Sequence, residues 1–224
     1  MVELHKVGLK PCPKDTIAVT ISHAMRHCAL AYTTSAGNVE TCDVRNDQEL
    51  SSGPTPSDSY WAQVKLLEHE VHLVAVLVEA ILDKNPAGFP YSLIYTPDAI
   101  DLTGALKKPA GFTCATFVVA VFERLSLPLI QISTWKTRPK EDKEFQNTYL
   151  ESAYFGPVRI GAVPSISTEA AMRIALEQPD FRIKPAEVCG AAAAAKRPIN
   201  FNQAKQLAQG VAARIKEIEK ATYP

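Results

Sequence analysis

The chain has 224 residues, 46% of them hydrophobic and 21% charged, and its 24 basic and 24 acidic residues balance to a formal net charge of zero. This is ordinary globular composition at a length that buries a core without cross-links. Neutral balance supplies no electrostatic footprint for nucleic acid or an anionic membrane, so neither is expected as a partner. The five cysteines (12, 28, 42, 114 and 189) are odd in number, widely spaced and without a C-x-x-C pair. That spacing is neither a disulfide framework nor a zinc pattern, and it points to a reducing compartment. MVELHKVGLKPCPKD lacks an apolar signal core, and VHLVAVLVEAIL is too short to span a bilayer. A cytoplasmic protein with no integral membrane segment is the expectation.

DTIAVTIS (15–22) is β-branched and reads as a strand. CALAYTT (28–34) and VETCDVR (39–45), joined by SAGN, read as a hairpin, because Gly37 and Asn38 tolerate positive φ. NDQELSSGPTPSDS reads as a polar loop. Asp58 or Ser59 then caps a long helix over 60–84, in which Trp61, Val64, Leu67, Val71, Val74, Val78 and Ile81 recur at helical spacing. Residues 89–111 read as irregular. The segment 114–126 is a helix that is apolar nearly all round and therefore central. PLIQIS reads as extended, KTRPKEDKEF as a solvated loop and GPVRIGAVP (156–164) as a further strand. Ser167 or Thr168 caps a helix to 177. An alanine run follows, and Asn200 or Asn202 opens a last helix to 220, with Ala204, Leu207 or Ala208, Val211, Ile215 and Ile218 on one face.

Chemistry concentrates at AGFTCATFVVAVFERL (110–125). With Thr113 as N-cap, Cys114 falls in the first helical turn, where unpaired N–H groups and the helix dipole favour a thiolate. The same groups would serve an oxyanion. The competing reading is a small buried core residue, since free cysteine is often buried. A thiolate nucleophile wants an imidazole, and His27 stands directly before a strand, where a rigid element aims its ring. Glu40 lies on the partner strand as a carboxylate to orient that ring, provided the pairing brings the two together. Asp43 is the alternative third residue, its side chain alternating away from that of Glu40. His23 is the alternative base.

HCALAYTTSAGNVET resembles the histidine-bearing segment of NlpC-type thiol hydrolases, and GFTCATFVVAVFERLSLPLI resembles their Cys-bearing central helix. Histidine precedes cysteine, as in the circularly permuted papain-like branch that includes the YiiX-like hydrolases and the lecithin–retinol acyltransferase group. The resemblance covers 13–45 and 88–130. It implies an α+β fold in which an antiparallel sheet packs against the central Cys-bearing helix. It also implies Cys114 as nucleophile, His27 as general base and Glu40 as the orienting residue, with no cofactor and no metal. PYS (90–92) resembles a Pro-Tyr element before the nucleophile, which adds Tyr91 to Thr113 as a substrate or oxyanion candidate. Three departures stand out. Cys28 replaces a small aliphatic residue after the histidine, 58–84 is an insertion, and Thr113-Cys114-Ala115 replaces the acyltransferases' Asn-Cys-Glu.

The expected organisation is a catalytic domain over 1–190, then an Ala-rich connection and helix over 191–224. The expected function is a thiol hydrolase of amidase or peptidase type, acting on a peptide, a cell-wall fragment or a lipid-linked amide. The alternatives are a non-catalytic binding module on the same fold and a lipid acyltransferase or thioesterase. HEVH (69–72) is one residue short of the zinc motif H-E-x-x-H and lacks a further ligand cluster.

Overall fold

The structure is a computed structural model that describes residues 2–107 and 110–222. The first third of the chain is an antiparallel sheet and the rest is mainly helical, an α+β architecture. In chain order the strands are β1 (His5–Lys6), β2 (Ile17–Ile21), β3 (Cys28–Thr33), β4 (Val39–Val44), β5 (Leu50–Pro54) and β6 (Tyr60–Val64). Their spatial order is β1-β6-β2-β3-β4-β5. The helices are α1 (Glu68–Lys84), α2 (Cys114–Arg124), α3 (Pro139–Leu150), α4 (Gly156–Arg159), α5 (Thr168–Leu176), α6 (Pro185–Ala192) and α7 (Phe201–Thr222).

The expected hairpin is present, with Leu30 opposite Cys42 and Tyr32 opposite Glu40, and with Gly37 at φ 78° in the turn. Side chains alternate between two buried faces. Ile17, Val19, Ile21, Cys28, Leu30, Tyr32, Cys42 and Val44 join the main core, whereas Ala18, Ala31 and Trp61 pack with Cys12 on the other side. Helix α2 crosses the main-core face against β3 and β4. Its Phe117, Val118, Val119, Val121 and Phe122 are fully buried. Each such side chain contributes roughly 1.5–3 kcal/mol, against about 1 kcal/mol for an N-cap. Core burial therefore places this helix, and Thr113 only sets where it starts.

Several expectations are corrected. The helix expected over 60–84 begins at Glu68, after Leu67, whose N–H is held by the Glu70 carboxylate at 2.8 Å. Residues 60–64 form β6 between β1 and β2, because Tyr60 and Ala62 fill one core while Trp61 fills the other. An element buried on both faces mimics helical spacing over a few residues. The polar loop at 46–59 contains the edge strand β5, whose terminal Pro54 an edge tolerates. The expected strand at 156–164 is absent. Gly156–Arg159 is a short helix following a π-helical turn at Glu151–Phe155, with Ile160 and Val163 exposed.

KTRPKEDKEF is mostly helix, with Pro139 in the first turn of α3. PLIQIS carries a bridge from Ile130 to Ile199 and a 3₁₀ turn at Ile132–Thr134. The alanine run completes α6, which is buried against β2, α2 and α7. Ser167 caps α5, and Asn200 accepts from the Gln203 amide at the start of α7. Helix α7, placed in the expected 191–224 unit, shares the main core and receives the Tyr60 hydroxyl at Glu219. Lys108 and Pro109, within the stretch expected to be irregular, lie outside the described residues, as do Tyr223 and Pro224.

One close approach aims α2. The strip 90–92 runs beside 111–112, with the Phe112 amide donating to the Pro90 carbonyl at 2.9 Å and the Ser92 amide donating to the Phe112 carbonyl at 3.3 Å. A Cβ at Gly111 would lie 2.5 Å from the Pro90 oxygen. Gly111→Ala is therefore expected to destabilise by about 1–3 kcal/mol, as overpacking does. The control Gly53→Ala, with nothing within 4 Å of the added carbon, should change little. Thermal denaturation of the two variants, at about 2–4 °C per kcal/mol for a chain of this size, checks the contrast.

Candidate active site

Cys114 opens α2 at the sheet end where β3 begins. Thr113 caps the helix, its Oγ1 accepting from the Thr116 amide at 3.2 Å while its own amide donates to Thr116 Oγ1 at 2.8 Å. This reciprocal cap uses the amides of Thr113 and Thr116. The first-turn amides of Cys114 and Ala115 still lack a carbonyl one turn back. Thr113, a candidate for oxyanion binding, thus positions the helix, and Cys114 and Ala115 carry the available N–H groups. Cys114 is 7% exposed.

His27 precedes β3, its amide donating to Ser22 Oγ at 3.3 Å and its carbonyl accepting from the Ser22 amide at 3.0 Å. Both bonds fix the backbone from which the ring projects. Nε2 donates to Asp43 Oδ2 at 2.6 Å, a short charge-assisted bond. Cys114 lies close enough to the ring to favour its protonated form. With Nε2 committed to the carboxylate, Nδ1 is the ring nitrogen that remains.

The carboxylate at the imidazole is Asp43, which corrects the assignment to Glu40. Glu40 pairs with Tyr32, five residues from His27 and about 16 Å along the strand, and accepts from Ser52 Oγ at 2.7 Å. Asp43 lies at the open end of the hairpin, one step beyond the Leu30–Cys42 pair. Alternation gives it the face opposite to that of Glu40, the face His27 reaches from the strand end. Asp43 is 5% exposed and also accepts from Ser51 Oγ at 2.5 Å and Arg45 Nε at 3.1 Å. Burial alone would raise its pKa, but the bonds from His27 and Ser51 and the charges of His27 and Arg45 hold it below the usual carboxylate range.

Burial opposes protonation of His27 too. The Asp43 bond, then the bond and charge of Cys114, overcome it and raise the imidazole to about 10. Cys114 moves the other way, well below an ordinary thiol. The Cys28 thiol is the largest influence; burial opposes it, and the bond and charge of His27 and the Cys28 amide add to it. Both shifts favour the charged forms, thiolate and imidazolium, over the neutral pair. Cys28, which stands where the family resemblance has a small aliphatic residue, favours the Cys114 thiolate, and its own thiol is pushed up by that neighbour and by burial. Ser51 was hidden in a stretch read as loop.

Tyr91 is buried beside Cys114, whose charge, after burial, raises its hydroxyl. Its ring stacks on Tyr149 at 4.3 Å, its amide donates to Asp47 at 2.9 Å and its carbonyl accepts from Arg173 at 2.7 Å. Tyr149 lies just beyond the charged stretch 136–145 that reads as loop, where nothing in the sequence marks a site residue. His23, the alternative base, is exposed and paired with Glu219. His69 and His72 are exposed on α1, and among the described residues no cluster of three metal-ligating side chains occurs. Nor is any described helix long and apolar enough to cross a membrane. Met25 and Arg26, directly before His27, line a groove shared with Phe145, Thr148, Arg182 and Pro185.

The pair has a defined pH window. The raised His27 contributes stability that is complete below pH 6.5 and lost as pH rises through about 10. The depressed Cys114 and Asp43 contribute stability that is present above their ordinary values and lost as pH falls through the lowered ones. Iodoacetamide should therefore alkylate Cys114 at a rate already level at pH 7, and thiolate absorbance at 240 nm should follow the same curve. In His27→Ala both midpoints should move up toward the ordinary thiol range. A wild-type midpoint near that of a free thiol would refute the ion pair. Comparisons of the chain with protein-family models, with curated proteins and with solved structures find no match, so the reading of this site rests on its own geometry.

Proposed function

We propose that the chain is a cysteine hydrolase of amidase or peptidase type with a permuted papain-like arrangement, in which the hairpin supplies base and carboxylate and a later helix supplies the nucleophile. The observation that carries this reading is the His27 ring, bonded through Nε2 to buried Asp43 and near enough to Cys114 that each favours the charged form of the other. A structural cysteine needs neither an imidazole partner nor a lowered pKa.

The ionised sulfur of Cys114 attacks the substrate carbonyl carbon, and the carbonyl oxygen takes up negative charge at the Cys114 and Ala115 amides. Collapse of the tetrahedral intermediate breaks the bond to the leaving amine, which takes its proton from His27. The neutral imidazole, still held by Asp43, then removes a proton from water. The resulting attack on the thioester frees the acid and restores the thiolate. Asp43 keeps Nε2 protonated throughout, so Nδ1 is the atom that changes state. The low exposure of Cys114 favours a slim acyl group such as an extended peptide, a cell-wall peptide or a lipid-linked amide over a bulky internal segment of a folded protein.

A panel of aminoacyl and N-acyl coumarin amides, with p-nitrophenyl acetate as an ester reporter, tests this. Wild-type protein should give an acyl adduct on Cys114 by intact mass, and Cys114→Ala should abolish both adduct and turnover. His27→Ala should lose about 10²- to 10⁴-fold, the range of general acid–base catalysis. Asp43→Asn should fall substantially, while Glu40→Gln should retain wild-type rates. Equal rates for wild type and Cys114→Ala would overturn the proposal. Acyl transfer to an added amine in preference to water would reassign it as an acyltransferase.

A further inference from the structure

The turn before His27 borders two adjoining recesses that acyl transfer itself does not use. Within that turn Met25 adopts φ 55°, a left-handed conformation uncommon for a long apolar residue, and its amide donates to the Ser22 carbonyl at 2.8 Å. Residues held in such conformations cluster at binding sites. Met25 lines both recesses, as do Glu141 and Lys184. The nearer, of about 380 Å³, is the groove of Arg26, Phe145 and Arg182. The farther, of about 610 Å³, lies between the segment entering α3, the start of α6 and one face of α7. Its apolar lining is Met25, Ala186, Phe201, Ala208 and Ala212, with Phe201 braced by the Trp135 ring at 5.6 Å.

Most charges around these recesses are matched within the chain. Glu141 pairs with Lys184, Glu187 with Arg138, and Arg182 with Asp142. Three cations are left over: Arg26 in the nearer recess, and Lys136 and Lys205 in the farther one. All three are exposed, and among the described residues their side chains have no ion pair or hydrogen bond. One carboxylate, Glu144 in the nearer recess, is likewise without an ion pair among the described residues. The open charge of the nearer recess therefore balances, while the farther recess keeps two open positive charges in a chain of zero net charge.

We propose that the two recesses form one groove for the leaving side of an acidic peptide substrate, whose carboxylates are received by Lys136 and Lys205. The assignment deepens the hydrolase reading and rests on it. His27 gives its proton to the leaving amine, so the chain beyond the scissile bond departs on the His27 side, where Met25 and Arg26 stand. An extended peptide matches the groove in kind: its methylenes lie on the apolar lining and its separated carboxylates meet separated cations. A phosphodiester backbone, charged at every unit, matches it less well. Glu144 opposes such a backbone in the nearer recess, and the neutral chain supplies no long-range attraction for it.

The test is binding of short fluorescein-labelled peptides of alternating Glu and Ala to the full chain, read by anisotropy at pH 7, with Gln and Lys counterparts as controls. The Glu peptide should bind, the Gln and Lys peptides should not, and high salt should weaken the complex. Lys136→Gln and Lys205→Gln should each weaken binding about 1.5- to 5-fold, the range of an exposed ion pair, and Lys136→Arg should retain it. Lys14→Gln, exposed before the opposite end of β2, should bind as wild type. Bound Glu peptide should also slow iodoacetamide alkylation of Cys114, because it covers the His27 side. Equal binding of the Gln peptide would overturn the proposal. So would wild-type binding by the double lysine variant, tighter binding of an oligonucleotide of equal charge, or unslowed alkylation of Cys114. Turnover of coumarin amides without binding of the Glu peptide would refute the groove alone. Binding through the lysines without turnover of any amide would keep the acidic-peptide groove and refute the hydrolase.

Discussion

A single buried carboxylate organises the site. Asp43 bonds Nε2 of His27, and this fixes the plane of the ring and leaves Nδ1 as its other nitrogen. Without it, burial would disfavour the charged imidazole and so weaken one of the influences, beside Cys28, that favour the Cys114 thiolate. The carboxylate is itself retained as an anion only because Ser51, Arg45 and His27 meet its two oxygens. Burying a lone charge is prohibitive, but a hydrogen-bonded group of balanced charges is tolerated. Cys114 and Asp43 as anions and His27 and Arg45 as cations form such a balanced set. Arg45 remains half in solvent, which lets water share the load at the outer end of the array.

Four elements of the fold converge to build this set, and each does so by ordinary packing. The β3–β4 register brings Asp43 to the end where His27 enters, and β5 adds Ser51 directly opposite Asp43. The bulky core of α2 holds the helix against the sheet, so that its first turn, and not its middle, reaches the imidazole. Gly111 lets the chain before it run against Pro90, and this same contact seats Tyr91 by the sulfur. Cys114 therefore sits on a deeply buried helix and His27 at the start of a central strand, both rigid supports that preserve a hydrogen-bonded geometry.

What was legible in the sequence follows from how local each signal is. A capped, apolar helix beginning at Cys114 and a hairpin begun by His27 are written in contiguous residues, and both are present. The identity of the third group was not, because it depends on strand register. Glu40 and Asp43 differ by three positions, hence by face and by some 10 Å along the strand, and only the pairing decides between them. Strand β6 was misread because an element buried on two faces loses its alternation. The charged stretch that became α3 hid Tyr149 for a related reason: its apolar positions are few and its acidic and basic residues serve partners distant in sequence. Asp142 receives Arg182, and Gln146 reaches the carbonyls of Ile174 and Glu177.

Those distant partners determine how the helical half meets the site. Arg173 on α5 ties Asp47, in the β4–β5 connection, to the Tyr91 carbonyl and to Glu177. Arg138 reaches Glu187 on α6, and Arg182 pairs with Asp142 on α3 while covering the Phe145 ring at 4.0 Å. Buried or half-buried pairs of this kind add little net stability, since desolvation offsets their attraction, but a guanidinium with several acceptors admits few alternative arrangements. Their effect is on position. They clamp the Tyr91–Tyr149 stack beside the sulfur and leave the Met25–Arg26 groove as a neighbouring recess. Access to Cys114 is thereby narrowed by α3, α5 and the segment before α6, which contribute none of Cys114, His27 and Asp43. In the proposed hydrolase, the sheet and α2 would hold the acyl-transfer geometry while the residues on α3, α5 and the segment before α6 would set which acyl groups fit.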